Sequence, residues 1–194
     1  ASKTFKSRMT KRLWVIGSNK VTESTIEESF KNLIRLLDKH LETRPYIFGK
    51  TPSIADFALS GQIYNANNDV TARELIQKNT PKLNDWIERM LSPRHMGDFE
   101  DWRELKPTLL PLIKEEIAQV FLPWVTANNN AVENNKEELS IMIKGRAFAH
   151  KVTSVQNFHK KSFRLLMENY QTVSHHEELE DILTETGVKE YLNA

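Results

Sequence analysis

The chain contains no cysteine, so disulfide scaffolds, thiolate nucleophiles, cysteine-ligated zinc and iron–sulfur clusters are all excluded from it. Glycine is scarce, with six in 194 residues. That leaves little material for a phosphate-cradling loop, and neither a P-loop nor a Gly-x-Gly-x-x-Gly run occurs. A Gly-x-Ser-x-Gly nucleophile elbow is missing as well. No apolar run approaches the roughly 18 to 20 residues that a membrane span requires. An excess of one charge is also lacking: 27 Lys and Arg stand against 26 Asp and Glu, a net charge of +1, which makes no bulk case for a nucleic-acid partner. What remains is 39% hydrophobic and 27% charged residues, the composition of a globular protein rather than a disordered one. A chain of this length buries about 70% of its unfolded surface, so it can hold a sizeable core.

Charge is nevertheless uneven along the chain. Lys3, Lys6, Arg8, Lys11, Arg12 and Lys20 occur with no acidic residue among the first twenty. Such a run reads either as a solvated helix face or as a patch for an anionic ligand or partner. It lacks the following apolar stretch of a signal peptide.

Helical periodicity dominates the first half. Phe5, Met9 and Leu13 lie at i, i+4 and i+8 ahead of Gly17. Ser24 with Glu27 has the form of a capping box, after which Phe30, Leu33, Ile34, Leu37 and Leu41 keep the 3.6-residue period. That helix must close near Arg44, because Pro45 disfavours helical dihedrals in its predecessor. Ser53 and Asp56 form a second box, with Asp reaching back where Glu is more usual, and predict a buried helix with Ile54, Phe57, Ala58, Gly61 and Tyr64 on one face. Thr71 with Glu74 predicts a third start, and Thr80 followed by Pro81 a fourth. The segment from Ser92 to Lys106 reads as a link between two halves, 1–92 and 93–194. Beyond it, Leu110, Ile113, Ile117, Phe121 and Trp124 mark a long helix opened by Pro107 and Pro111 and kinked at Pro123. Over 139–150 the period changes to two, which predicts one β-hairpin. Helical spacing then resumes to the end of the chain.

Four of these stretches together resemble a known family. LDKHLETRPYIFG (37–49), KTPSIADFAL (50–59), NNDVT (67–71) and TPKLNDWIERM (80–90) stand in the order and spacing of the C-terminal, all-helical domain of the glutathione transferases. The resemblance covers residues 1–92, while FLPWVTANNNA and the hairpin resemble an appendix found in a bacterial branch of longer transferase-like proteins. It implies a mainly α fold, a glutathione-transferase C-terminal-like helical bundle with a helical extension that carries the hairpin. In that family Ser53 and Asp56 are structural residues at the start of a central helix. The first helix lines the site for a hydrophobic substrate, which places Phe5, Met9 and Arg12 against it.

The family's glutathione site belongs to a thioredoxin-like domain that precedes the helical one, and no βαβ pattern with a strand-leading proline occurs here. The resemblance therefore implies that this chain is the helical, substrate-binding part of a thiol-conjugating enzyme, in one longer chain or beside a separate thioredoxin-like partner. On its own it is expected to bind no cofactor and to be inactive, with glutathione as cosubstrate once the other half is present. A cytoplasmic homodimer with no nucleic-acid or membrane partner completes the expectation. The alternative is a non-catalytic assembly module built on the same helical domain. The six histidines form no His-x-x-x-His pair, so no metal site is expected, although His150 and His159 can meet if hairpin and helix pack together. No residue of the chain is expected to be catalytic.

Overall fold

The computed structural model describes residues 13–192, and within them the contacts divide into two compact units. One comprises residues 30–112; the other comprises the described residues up to Ser29 together with those from Ile113 onward.

The first long helix, α1 (Glu23–His40), contributes its opening turns to one unit and its remainder to the other. Asn19 and Thr22 set its start. The Asn19 side-chain oxygen accepts from the backbone N–H groups of Val21 (2.7 Å) and Thr22 (3.3 Å), and the Thr22 carbonyl takes the first helical bond, from Ile26 (3.0 Å). The helix thus begins at Glu23, ahead of the expected Ser24–Glu27 box, and Ser24 lies exposed inside it.

The unit of residues 30–112 is a helical bundle. After α1 come α2 (Ile54–Asn67), α3 (Val70–Asn79), α4 (Pro81–Met90) and α5 (Trp102–Leu112). Its core joins Ile34, Leu37, Tyr46, Ile76, Leu83 and Trp86, all buried. α4 begins at Pro81 after Thr80, as expected, whereas the start of α3 differs because a better-placed carboxylate takes the donors. Asp69, not Thr71, caps α3, accepting from the N–H groups of Thr71 (2.9 Å) and Ala72 (3.1 Å). Thr80 turns its hydroxyl back to the Ile76 carbonyl (2.7 Å), and the opening of α4 is capped from α1, where Asp38 accepts from Lys82 (2.7 Å) and Leu83 (3.0 Å).

The stretch after α4 is no free link. It returns to the turn at residues 46–50, with hydrogen bonds from Met96 to Lys50 (2.9 Å), from Lys50 to Asp98 (3.0 Å) and from Glu100 to Phe48 (2.8 Å). Gly49 makes this closeness possible. Its φ is +123°, and a Cβ there would fall 2.7 Å from the Glu100 backbone nitrogen.

The other unit continues directly from α5. Residues Ile113–Phe121 form a π-helical stretch, followed by α6 (Leu122–Glu133). α5 begins at Trp102, so Pro107 and Pro111 lie inside it rather than in its first turn. The irregularity expected at Pro123 takes the form of a change of hydrogen-bond register between Pro111 and Pro123, each of which lacks an N–H to donate. Strands β1 (Glu138–Ile143) and β2 (Arg146–Lys151) pair antiparallel, Leu139 opposite His150 and Ile143 opposite Arg146. Their two-residue turn, Lys144 and Gly145, has positive φ at both positions (47° and 77°), the geometry that matches strand twist. Helices α7 (Gln156–Val173), α8 (Glu177–Thr186) and α9 (Lys189–Leu192) complete the unit. One apolar cluster joins Leu122 and Val125 to Val188 and Leu192, and a second packs Ala131 on Leu139, Ile143 and Phe148 of the hairpin.

Candidate functional site

The start of α2 is built around a fully buried carboxylate. Ser53 adopts extended backbone angles before the helix, its side chain faces the Asp56 N–H, and the Asp56 side chain reaches back to the Ser53 N–H (2.9 Å) and hydroxyl (2.6 Å). The other Asp56 oxygen accepts from the backbone N–H of Ile47 (2.9 Å) and from the indole N–H of Trp86 (3.0 Å). Asp56 therefore ties together the helix start, the turn that follows α1, and α4. A buried carboxylate is tolerated here because each of its oxygens is satisfied twice.

A second buried group adjoins it through Ile47. His40 Nε2 lies 2.7 Å from the Ile47 carbonyl, which can only accept, so Nε2 carries the proton and Nδ1 accepts from the Thr108 hydroxyl (2.8 Å). Burial holds the imidazole below its ordinary pKa; the bond to Ile47 opposes that, and the Arg44 guanidinium adds to it. Arg44 is itself buried, paired with Glu100 (2.7 Å) and donating to the His40 carbonyl (2.7 Å) and the Glu104 carbonyl (3.2 Å). These groups satisfy one another and tie α1 to α5 and to the segment that precedes α5.

The surface that lies open is on α2. Ile54 is 87% exposed, Phe57 54% and Tyr64 45%, with Ala58 and Gly61 exposed between them. A Cβ on Gly61 would meet nothing within 4 Å. The face expected to be buried is thus the one turned to solvent, while Asp56 and Ile63 point into the bundle. Periodicity identifies residues that share a face but does not name what covers that face. Phe5, Met9 and Arg12, the residues placed against a hydrophobic substrate, lie outside the described residues.

The other unit holds two further polar features. At the mouth of a small cleft of about 70 Å³, lined by Thr25, Glu28, Ser29, Lys144 and Arg146 among others, the buried Glu116 accepts from Ser29 (2.5 Å) and pairs with Lys144 (3.2 Å). Arg146 pairs with Glu28 (2.5 Å), and the buried Thr25 hydroxyl has no partner. All four ionised groups are thus neutralised by one another. Elsewhere, His150 and His159 both meet Trp124: the indole N–H donates to His150 Nε2 (3.1 Å), and the His159 ring stands edge-on to the indole at 4.9 Å. Burial, and secondarily His150, lowers the His159 pKa. Among the described residues no group of three or more His, Asp or Glu is arranged to hold a metal. No helix among them is long and apolar enough to cross a membrane.

No curated protein and no solved structure matches the chain. A family model does: residues 22–89 match the one described as glutathione S-transferase, C-terminal domain. The matched segment runs from the cap of α1 through α4, and it includes the Ser53–Asp56 box, the buried Trp86 and the open face of α2. Over residues 22–89 the chain is thus similar to the C-terminal domains of glutathione S-transferases.

Proposed function

We propose that this chain is the helical, hydrophobic-substrate-binding part of a glutathione transferase-like protein, completed by a thioredoxin-like half in the same longer chain or in a separate one. The observation that supports this is the face of α2: an exposed apolar stripe of Ile54, Phe57 and Tyr64, interleaved with small residues that admit close approach, has the character of a surface made to be covered. In the completed protein the thioredoxin-like half holds glutathione and lowers the pKa of its thiol. The thiolate sulfur then attacks an electrophilic carbon of an apolar substrate, forming a carbon–sulfur bond as the leaving group departs with its electron pair. The helical part supplies the apolar wall, with Phe5 and Met9 against the substrate and Arg12 toward an acidic group. We place the completed protein in the cytoplasm as a homodimer, with neither nucleic acid nor membrane as partner.

The same face also serves a non-catalytic assembly module, and one experiment separates the two. Conjugation of glutathione to an activated aryl halide is followed with the chain alone and with its thioredoxin-like half supplied. The expected result is no turnover from the chain alone and turnover from the combination. Turnover by the chain alone, or none from a combination that binds stably, overturns the enzymatic assignment.

A further inference from the structure

A groove formed by residues after Ile113 is lined mainly by apolar side chains. It measures about 480 Å³ and lies between the π-helical stretch, α7, α8 and α9, within the roughly 300–1,000 Å³ typical of small-molecule sites. Phe121, Leu122, Leu166, Leu183 and Leu192 are among its lining residues, and among the described residues no Lys, Arg, His, Asp or Glu lines it. Three lining residues are polar. Of these, the Tyr170 hydroxyl is engaged by Glu180 (2.7 Å) and the Thr172 hydroxyl by the Asn169 carbonyl (2.7 Å). The side-chain amide of Asn169 has no hydrogen-bonding partner among the described residues.

The walls are also braced. Tyr170 of α7 donates to Glu180 of α8, and Lys189 of α9 pairs with the same carboxylate. These contacts tie together the helices that frame the groove, and the one carboxylate that meets a lining side chain, Glu180, is paired with Lys189. Phe121 and Leu166 at the lip are each 42% exposed, so the groove opens to solvent.

We infer that this groove binds one neutral molecule with an apolar body and a single hydrogen-bonding end, the body lying along Phe121, Leu166 and Leu183 and the end meeting the Asn169 amide. Neutrality follows from the lining: a charged end would leave water for a wall that offers no counter-charge. The residues involved are distinct from Phe5, Met9 and Arg12, and the inference does not depend on any thiol chemistry.

The test uses the full chain, with decan-1-ol and decanoate as probes in isothermal titration calorimetry at pH 8. Decanol is expected to bind at one site per chain, and decanoate at least about tenfold more weakly. Leu166→Arg, at the exposed lip, is expected to weaken decanol binding by at least about tenfold with the circular dichroism spectrum unchanged. Asn169→Leu is expected to weaken decanol by about fivefold while leaving undecane-type hydrocarbon binding intact. Val173→Arg serves as a second lip variant if Leu166→Arg does not fold. Absence of saturable decanol binding, equal binding of decanoate, or unchanged binding in the lip variants overturns the inference. So does a dimer that Leu166→Arg dissociates without any alcohol binding, since the groove is then an interface between copies.

Discussion

Asp56 carries more of the bundle than any capping role alone requires. Replacing it with Ala leaves the Trp86 indole, the Ile47 N–H and the Ser53 N–H without their acceptor in a site closed to water. The expected cost is about 3–5 kcal/mol in urea denaturation. Gly49→Ala is expected to cost at least about 1–3 kcal/mol by the same measurement, since φ is +123° and the new carbon meets backbone at 2.7 Å. His40 makes stability depend on pH. Its folded-state pKa lies below the ordinary value near 6.5, so the unfolded chain binds the proton first. Stability is complete above about pH 6.5 and falls as the pH drops from there toward the folded pKa. His40→Gln is expected to flatten that part of the profile, read from melting temperatures between pH 8 and pH 5. Burial sets the sign of the effect; the Ile47 carbonyl opposes it, as do the charges of Glu100 and Asp56, while the Arg44 guanidinium adds to it. Of this network only Ser53-x-x-Asp56 was legible in the sequence. Arg44 and Glu100 are 56 residues apart and His40 and Thr108 are 68 apart, and neither spacing nor composition links residues at such distances.

At the scale of the elements, the two faces of α2 predict opposite responses. Ile63 is 3% exposed, and Ile63→Ala is expected to cost about 2–5 kcal/mol. Phe57→Ser removes a larger side chain from the exposed face and is expected to change the unfolding free energy by no more than about 0.5 kcal/mol. Thermal melts of the two variants check the contrast; a Phe57 variant as damaging as the Ile63 one means the face is not open. The sequence grouped Ile54, Phe57, Ala58, Gly61 and Tyr64 correctly and buried them incorrectly. Helix starts failed in a related way. Thr71–Glu74 fits the capping pattern, yet Asp69 stands two residues upstream and meets the donors first, and Ser24 falls inside a helix that already begins at Glu23. Asp38, capping α4 from α1, has no local pattern to announce it. The hairpin was the most legible element. Its alternation is strict, and Lys144–Gly145 supplies the turn that the strands need.

For the whole molecule, the mainly helical fold with a single hairpin follows from hydrophobic period alone, whereas its arrangement in two compact units does not, because the boundary after Ser29 falls inside a continuous helix. If α2 receives a thioredoxin-like half, the surface must tolerate no charge. Phe57→Asp is expected to reduce turnover of the combined halves by at least about tenfold, with the helical spectrum of the chain unchanged. Equal turnover means that the contact lies elsewhere.

Arg44 also sets where this domain can be cut. A fragment trimmed to residues 22–89 keeps the guanidinium but discards Glu100, the Glu104 carbonyl and Thr108, stranding a cation that was housed at 5% side-chain exposure. It also discards Asn19, which opens α1. Anyone grafting this bundle onto a new neighbour does better to carry the chain from Asn19 to Leu112, and a graft ending at Arg89 is expected to express as a loosely ordered, protease-sensitive product.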